Sequence, residues 1–503
     1  MKIKIAIRFI IFSTILLLME LTLNSTITWA QQPNQWTPQV KIPDYEAATE
    51  EPPFLIADQN HVVHAFNSQP LDLTDETAPR AVFYRQWTLE QGWTDPIDII
   101  LDPSGQASKL MDVYYDQPNG MIHLVLEIGS DAIYHTQAPL ALAGNATAWS
   151  TPLFVGGSAT NARPGIQIIA AIAGDENGNL VITYSGYDEG NGLYAVHSTD
   201  NGNTWTEASP FYLTYDPDLI VTSPILSAGL TGQIHAVWST FHENGEAGPG
   251  YYAKFDPVDQ TWSGPIDLDP NPSIRTPNVI EYKGQIIVSY YNSNVNGNWW
   301  RRSRDGGGIF SEPVRISPLH RGTNGIVYFV TDSSNALHLF FGERIDDNNH
   351  GLWHSTWTGS GWTNPIPVVR GPQIKDSIGG KAFDPRSARA VVSNGNLVLV
   401  SWGTDGAAGN SGAWYSYTTL NTPPLETAPL LAPTPTAAPT RIPTETPVLP
   451  TPIPSPTPLL ELDQAATRPT AVSQSPSLPI MVALAPVLLL LGVIVIIRQF
   501  TQH

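Results

Sequence analysis

The sequence predicts an all-β protein whose main domain, residues 31–421, is a seven-bladed β-propeller. An aromatic residue, followed by Ser or Thr and then by proline, returns at intervals of 48 (Trp262 to Phe310) to 57 residues (Trp36 to Trp93). A period of this size indicates a repeat architecture. No helical periodicity interrupts residues 33–421. The anchors are Trp36, Trp93, Trp149, Trp205, Trp262, Phe310 and Trp362.

Each repeat is predicted to hold three strands before its anchor. An apolar strand leads through a tight polar turn, such as DENGN at 175–179, into a second apolar strand, and the third strand is aromatic. The anchor segment is then the outer fourth strand, because an edge strand tolerates proline.

Seven sets of three strands can be counted, and the way they pair with the anchors predicts how the ring closes. The last set, ending near Leu420, has no anchor after it, whereas Trp36 has no strands before it. We therefore expect the Trp36 segment to complete the last blade, since closure removes free sheet edges. A six-bladed ring is the alternative, if the short interval between Trp262 and Phe310 marks an irregular set.

The two ends of the chain predict export and membrane anchoring. Residues 1–30 are typical of a secretory signal peptide, with a basic start, an apolar stretch and a small residue at the cleavage point. Residues 479–498 are long and apolar enough for one transmembrane helix. Arg498 should hold residues 499–503 in the cytoplasm, which leaves the propeller outside the cell.

Residues 422–478 are rich in proline and threonine and poor in large apolar side chains. Such a composition cannot pack a core and is typical of an extended, disordered stalk of the polyproline type. We expect this stalk to hold the propeller away from the membrane.

Charge and cysteine content exclude several classes of function. The net charge of −20 argues against nucleic acid as a partner. The chain has no cysteine, which excludes disulfides, thiol catalysis and thiolate metal sites. A domain of this size can bury a sufficient core without disulfides, and we expect a monomer.

Two segments carry a resemblance to a known family. Residues 198–205 read STDNGNTW and residues 303–310 read SRDGGGIF, which match S-x-D-x-G-x-x-W with Phe for Trp in the second. This is the Asp-box of BNR repeats, and the chain resembles the sialidase (neuraminidase) superfamily of propellers. Both segments lie between a third and a fourth strand, where that family places the motif. The resemblance implies a structural role for Ser198, Asp200, Gly202, Trp205, Ser303, Asp305, Gly307 and Phe310.

The resemblance also implies what a catalytic site would contain. Sialidases bind the substrate carboxylate with three arginines, and they use a tyrosine nucleophile, a helper glutamate and an acid/base aspartate. Here Arg163, Arg275 and Arg321 each precede a first strand and are the substrate-binding candidates, with Arg386 or Arg389 placed similarly. A guanidinium suits a carboxylate because it binds it in a bidentate manner.

Glu343 directly follows a second strand and is the catalytic candidate. The Phe/Tyr-Arg-Ile-Pro string common near the start of sialidase domains is missing, and no tyrosine–glutamate pair can be singled out. Two functions therefore stay open: hydrolysis of extracellular glycans of the exo-α-sialidase type, and non-catalytic binding of a glycan or a protein. In the second, Tyr187, Trp299 and Trp402 would be exposed and stack on sugar rings. A purely structural surface component fits the anchor equally well.

Four histidines take the same place in four second strands: His64, His123, His235 and His338. A repeated strand position explains them, whereas a metal site would require them to converge. The DENGN string has the wrong length for a calcium loop and is interpreted as a hairpin turn. We expect neither a metal nor an organic cofactor.

Overall fold

The structure is a computed structural model, and it describes most of the predicted propeller. The described residues are 35–46, 51–75, 78–101, 108–129, 132–157, 169–214, 216, 218–317, 327–344, 350–371, 385–404, 412–428 and 430. The predicted signal peptide, the transmembrane helix, the cytoplasmic tail and nearly all of the stalk lie outside them. Within the described residues no helix is both long and apolar enough to cross a bilayer.

The strands fall into seven antiparallel sheets, the blades, numbered in chain order. The first strands of the chain are β1 (Val40–Lys41), then in blade 1 β2 (Phe54–Ala57), β3 (Val63–Pro70), β4 (Arg80–Thr88), β5 (Gly92–Trp93) and β6 (Ile97–Ile100), and in blade 2 β7 (Ser108–Asp116), β8 (Met121–Ile128), β9 (Ile133–Pro139) and β10 (Leu153–Gly156). Blade 3 has β11 (Ala170–Gly174), β12 (Leu180–Gly186), β13 (Gly192–Ser198) and β14 (Ser209–Leu213), and blade 4 has β15 (Leu219–Ala228), β16 (Ile234–His242), β17 (Ala247–Asp256), β18 (Thr261–Trp262) and β19 (Ile266–Asp267). Blade 5 has β20 (Ile274–Tyr282), β21 (Gln285–Asn292), β22 (Gly297–Ser303) and β23 (Val314–Arg315), blade 6 has β24 (Val327–Thr331), β25 (Leu337–Arg344), β26 (His350–Thr356) and β27 (Ile366–Gly371), and blade 7 has β28 (Pro385–Ser393), β29 (Leu397–Thr404) and β30 (Gly412–Thr419). Two short 3-10 helices, Leu140–Leu142 and Ala146–Ala148, lie between β9 and β10.

The blades form a closed ring around a central channel. In six blades the strands pair in chain order, with β6 and β19 pairing back to β4 and β17. The first strands of neighbouring blades contact one another all round the ring, including β28 of blade 7 with β2 of blade 1. The first strands are therefore the innermost ones and line the channel. Seven blades confirm the predicted fold, and the six-bladed alternative is wrong.

The core is divided among the contacts between blades. A separate apolar cluster lies between each pair of neighbours, such as Phe66 and Val82 of blade 1 against Leu124 of blade 2. The pair formed by blades 7 and 1 has its own cluster, in which Leu399 packs against Trp87. Burial at about 25 cal/mol per Å2 of apolar surface stabilises each of these contacts. Stability therefore depends on every neighbouring pair, including the pair that closes the ring.

The N-terminal segment closes the ring as predicted. β1 pairs with β30, so that it becomes the fourth strand of blade 7. Before β1, the N–H of Thr37 donates to the carbonyl of Tyr417 at 3.0 Å, and the hydroxyl of Ser416 donates to the carbonyl of Thr37 at 2.7 Å. Trp36 packs edge-on against Phe340 of blade 6 at a ring-centroid distance of 5.7 Å.

The fourth strands differ from the prediction in where they lie. In blade 2 the strand is Leu153–Gly156, after the proline of the anchor segment rather than at Trp149. In blade 1 the pairing with β4 is interrupted between Trp93 and Ile97. Because proline has no N–H to donate, the ladder stops at the anchor and resumes after the proline. The anchor tryptophans instead pack between blades, as Trp149 does against Phe66 at 6.2 Å.

Candidate functional site at the upper face

The direction of the first strands defines two faces of the propeller. The upper face holds the beginnings of the first strands and the links between second and third strands. The lower face holds the turns between first and second strands and between third and fourth strands. Among the arginine candidates that the structure describes, Arg275 belongs to the upper face, whereas the Asp-box segments belong to the lower face.

Four of the seven innermost strands carry a register shift near the upper face. In each, one extra residue interrupts the pairing with the second strand: between Leu110 and Asp112, Thr222 and Ile225, Arg275 and Asn278, and Arg386 and Arg389. A bulge of this kind bends the strand and re-aims its side chains.

The bulges of β20 and β28 share an unusual backbone conformation. Thr276 has φ 44° and Ser387 has φ 49°, which is the left-handed region. A residue other than glycine rarely adopts this region, and such strain persists only where the surrounding structure imposes it. In both bulges the strained residue directly follows an arginine, Arg275 or Arg386. The two arginines thus take equivalent places in blades 5 and 7.

Arg275 is exposed and is held against the neighbouring blade. Its Nη2 donates a hydrogen bond of 2.8 Å to the carbonyl of Gly245, in the link between β16 and β17. This bond uses one of the five N–H donors of a guanidinium. The contact therefore fixes the direction of the side chain while most of its donors can serve a ligand.

Arg389 follows the second of these bulges and lies between the innermost strands of blades 7 and 1. Its guanidinium carbon is 3.2 Å from the centroid of the Phe54 ring, on the first strand of blade 1. Tyr328 of blade 6 and Asp112 of blade 2 lie within its electrostatic reach. Burial raises the pKa of the Asp112 carboxyl to about 6, although N–H bonds from Ile172 and Val113 and the charge of Arg389 oppose the rise.

The side chain of the residue that follows a bulge also contacts the innermost strand of the neighbouring blade. Asp112 accepts the N–H of Ile172 on the first strand of blade 3 at 2.9 Å. Asn278 donates to the carbonyl of Val327 on the first strand of blade 6 at 3.0 Å. The contact of Arg389 with the Phe54 ring takes the same place between blades 7 and 1. These side chains hold the innermost strands together close to the upper face.

The structure locates two of the four predicted site residues. Arg275 lies near the upper face as the second residue of β20, whereas the sequence placed it before the first strand. Glu343 lies inside β25, opposite Gly351, and is only 2% exposed, whereas the sequence placed it on a link after the strand. The strand is longer than predicted, so the glutamate is enclosed next to blade 5, where Asn298 donates to the carbonyl of Gly342 at 2.8 Å. Arg163 and Arg321 lie outside the described residues.

The aromatic candidates of the binding hypothesis are only partly accessible. Trp402, expected to be exposed, is fully buried in the cluster between blades 6 and 7, because it lies in the middle of a blade on β29. Trp299 is half-buried, and the guanidinium of Arg315 lies 4.9 Å from its ring centroid. Tyr187 is half-buried.

The two predicted Asp-box segments form tight turns at the lower face. Asp200 accepts the hydroxyl of Ser198 at 2.8 Å and the N–H of Thr204 at 2.9 Å. Asp305 accepts the hydroxyl of Ser303 at 2.6 Å and the N–H of Ile309 at 3.0 Å. These bonds within the turn lower the pKa of both aspartates. The aspartates therefore serve the turn and face away from the upper face.

The same turns pack on the blade before them. A Cβ at Gly202 would lie 2.6 Å from the His135 ring, and one at Gly307 would lie 2.3 Å from the Tyr252 hydroxyl. Trp205 contacts His135 edge-on, and Phe310 contacts Tyr252 edge-on. In both pairs the ring centroids are 5.0 Å apart. Both glycines also have positive φ, 78° and 91°. Glycine is therefore required at each position both because a Cβ would clash and because other residues rarely adopt this backbone conformation.

The four repeated histidines lie in buried hydrogen-bond networks. The sequence identified the histidines but not their partners on the third strands. Each histidine contacts a tyrosine or a second histidine on the third strand through its Nδ1. The contacts are His64 with Tyr84 at 2.7 Å, His123 with His135 at 3.1 Å, His235 with Tyr252 at 2.9 Å and His338 with His354 at 2.9 Å. In three of the four, Nε2 also contacts a carboxylate: Asp58, Glu281 and Asp332.

Burial determines the protonation of the histidine pairs. It lowers the pKa of His123 and of His354 to about 3 and the pKa of His135 to about 4. Both members of a pair therefore stay neutral at physiological pH. In the part of the chain that the structure describes, no group of three or more His, Asp or Glu side chains is arranged to hold a metal ion.

Comparison with solved structures finds matches at low sequence identity. A protein of unknown function from Dyadobacter fermentans is 14% identical, with 78% of this chain and 100% of that chain covered and a TM-score of 0.44. A sialidase from Streptococcus pneumoniae is 11% identical, with 77% and 71% covered and a TM-score of 0.42. An ulvan lyase, a polysaccharide lyase, is 12% identical, with 77% and 97% covered and a TM-score of 0.47.

The sequence matches no protein-family model, and no curated protein matches it. At the identities found, the solved structures assign no activity to this chain. Its function has to be argued from its own residues.

Proposed function

We propose that this protein is a sialidase-like propeller that binds the carboxylate of an acidic sugar, carried by extracellular glycans, at its upper face. One observation carries the proposal. Arg275 and Arg386 take equivalent places in two innermost strands, and each directly precedes a residue in the left-handed conformation within a bulge. Backbone strain that recurs at equivalent places next to arginine supports a function for those arginines.

The ring order supports a shared ligand. Arg275 belongs to blade 5 and Arg386 to blade 7, and Arg321 precedes the first strand of blade 6 in the sequence. In the sequence, an arginine therefore stands within or shortly before the first strand of each of three consecutive blades. Arginines at this spacing suit a carboxylate, because planar guanidinium groups donate paired hydrogen bonds to it.

Hydrolysis of the exo-α-sialidase type is the reaction that such a site would serve. A carboxylate-binding site orients the sugar, and Glu343 is the catalytic candidate. Non-catalytic binding of a glycan or a protein is the second candidate function, and one observation favours it. Glu343 is 2% exposed within a strand, whereas an acid/base group must reach a proton of the substrate.

Replacing Arg275 by alanine is expected to weaken the site without affecting the fold. A hydrogen bond to a charged group contributes about 1.5–3 kcal/mol, so we expect a loss of roughly 10- to 150-fold in affinity or in kcat/KM. The measurement uses the purified full chain, with a fluorogenic sialoside for turnover and an immobilised sialylated glycan for binding. Glu343→Gln is assayed in parallel.

Arg302→Ala is the matched control. Arg302 also lies in blade 5 and donates to a backbone carbonyl of a neighbouring blade, that of Gly359 at 3.2 Å, but at the opposite end of the blade. Turnover that Arg275→Ala lowers by the expected factor, that Glu343→Gln abolishes and that Arg302→Ala keeps would support the enzyme. Binding without turnover, lost in Arg275→Ala, would support the binding protein. Equal results for the two arginine variants would contradict the proposed site.

We further propose that the chain is exported and anchored to the cell membrane by residues 479–498. The proposal rests on the sequences of residues 1–30 and 479–498, which lie outside the described residues. In a bacterial host the full chain is expected to sediment with membranes, whereas a chain ending at Leu478 is expected in the soluble exported fraction. Equal partitioning of the two chains would contradict anchoring by this segment.

A further inference from the structure

The start of the predicted stalk lies on the lower face of the propeller. The stalk was predicted to begin at residue 422, yet the described chain stays in contact with the turns of several blades as far as Leu430. The amide of Asn396 donates to the carbonyl of Thr422 at 3.2 Å, and the N–H of Leu425 donates to the carbonyl of Asn394 at 2.9 Å. This part of the chain is therefore bound to blade 7 rather than extended into solvent.

The segment then crosses from blade 7 to blades 1 and 2. The N–H of Ala428 donates to the carbonyl of Gln59, in a turn of blade 1, at 3.0 Å. Leu430 packs against the apolar cluster between blades 1 and 2, beside Tyr115. The chain thus crosses the contact between blades 7 and 1 at the lower face, opposite the end where β28 and β2 bind through Arg389.

Leu430 also lines a pocket of ≈ 700 Å3. Turns of four consecutive blades line it, which places it beside the lower opening of the channel. Its walls include Tyr114 and Tyr115 of blade 2, Glu176 of blade 3 and Leu230 of blade 4, which is 72% exposed. The two tyrosines and the exposed leucine give the pocket apolar surface beside its acidic residues Asp175 and Glu176.

We propose that this pocket binds residues 431–435 of the same chain, Leu-Ala-Pro-Thr-Pro, as a polyproline helix against Tyr114 and Tyr115. The described chain reaches the rim of the pocket at Leu430, so the next residues are already beside it at high effective concentration. Five residues in this conformation extend about 15 Å.

The chemistry of the segment selects this mode of binding. Pro433 and Pro435 have no N–H, so the segment cannot join a sheet edge as a regular strand. Aromatic-lined grooves bind proline-rich chains because the polyproline helix is already extended and loses little entropy on binding. Gln117, also in the wall, supplies an amide donor for a carbonyl of the segment.

The experiment uses the full chain with a nitroxide label at Thr434→Cys. The chain has no native cysteine, so the label is attached at this position alone. Electron paramagnetic resonance is expected to show a label that is immobile on the nanosecond time scale, which is slow for an exposed chain segment. Tyr115→Ala is expected to mobilise it, and so is the double variant Pro433→Gly and Pro435→Gly, which leaves the propeller sequence intact.

Tyr134→Ala is the control, because Tyr134 belongs to the same blade and packs against Phe154 instead of lining the pocket. It should leave the label immobile. A mobile label in the parent chain would overturn the proposal, and so would a label that stays immobile in both Tyr115→Ala and the proline variant. Immobilisation that disappears on dilution would show binding between two copies and would equally overturn it.

Discussion

Replacing Arg85 by alanine is expected to lower the free energy of unfolding by about 3 kcal/mol or more, because it removes a buried cation and leaves its partners without a donor. Arg85 is fully buried on β4 and donates to the carbonyls of Pro43 at 2.6 Å and Asp44 at 3.1 Å. Its guanidinium also lies 5.4 Å from the ring centroid of Tyr45. All three partners belong to the segment that leads from blade 7 into blade 1.

The same strand offers a matched comparison. Arg80 binds Glu46 of the same segment in a bidentate ion pair, with Nη2 to Oε2 at 2.8 Å, but its side chain is 34% exposed. A surface ion pair contributes roughly 0–1 kcal/mol, and the hydrogen bond that Arg80 also donates to the Ser68 carbonyl at 3.0 Å contributes about 1 kcal/mol, so Arg80→Ala should cost about 2 kcal/mol at most. Urea unfolding of the two variants measures both effects. Equal losses would show that Arg85 does not hold the ring closed.

The double variant His135→Tyr and His354→Tyr is expected to make the propeller less sensitive to acid. In the native state burial lowers the pKa of His135 to about 4 and that of His354 to about 3, whereas an unfolded histidine titrates near 6.5. The unfolded chain therefore binds protons below pH 6.5 that the native state does not bind. The stability contributed by each neutral histidine is complete above pH 6.5 and is lost as the pH falls toward the native pKa.

The size of this effect follows from the linkage between protonation and folding. Between pH 7 and pH 5, each histidine that stays neutral in the native state reduces the free energy of unfolding by about 2 kcal/mol. The double variant should therefore lose about 4 kcal/mol less over this interval than the parent chain. Tyrosine is the chosen replacement because blades 1 and 4 hold Tyr84 and Tyr252 at this position, hydrogen-bonded to the equivalent histidines His64 and His235.

The reverse substitution completes the test. Tyr84→His would create a third histidine pair, with His64, and should make the loss of stability between pH 7 and pH 5 steeper. The measurement is urea unfolding at pH 7, 6 and 5 for the parent, the double variant and the reverse variant. An unchanged difference between pH 7 and pH 5 in both variants would show that the histidine pairs do not determine the response to acid.

The fold could be predicted because each repeat carries its own pattern. Alternating apolar strands, Gly and Asn turns and the aromatic anchors are local signals, and their sevenfold return leaves few architectures. The missing anchor after Leu420 and the extra one at Trp36 predicted the closure, which the pairing of β1 with β30 confirms. The position of the fourth strands was less accurate, because the proline shifts the pairing beyond the anchor.

The candidate site could be predicted only in part, because bulges depend on pairing between strands. The strings Arg-Thr-Pro-Asn at 275–278 and Arg-Ser-Ala-Arg at 386–389 share a pattern that could have indicated equivalent places. Nothing in the local sequence shows that Thr276 and Ser387 have positive φ. The burial of Glu343 likewise depends on the length of β25 and on the neighbouring blade.

The sequence by itself determined the class of the fold and the segment that closes the ring, and it favoured seven blades over six, because these follow from periodic apolar and aromatic residues along the chain. Only the tertiary structure decided which side chains meet: Arg85 with the closing segment, the histidines with their third-strand partners, and Leu430 with the lower face. These contacts join residues far apart in the chain, and their geometry depends on the rotation of one blade relative to the next. The local sequence pattern does not contain that rotation.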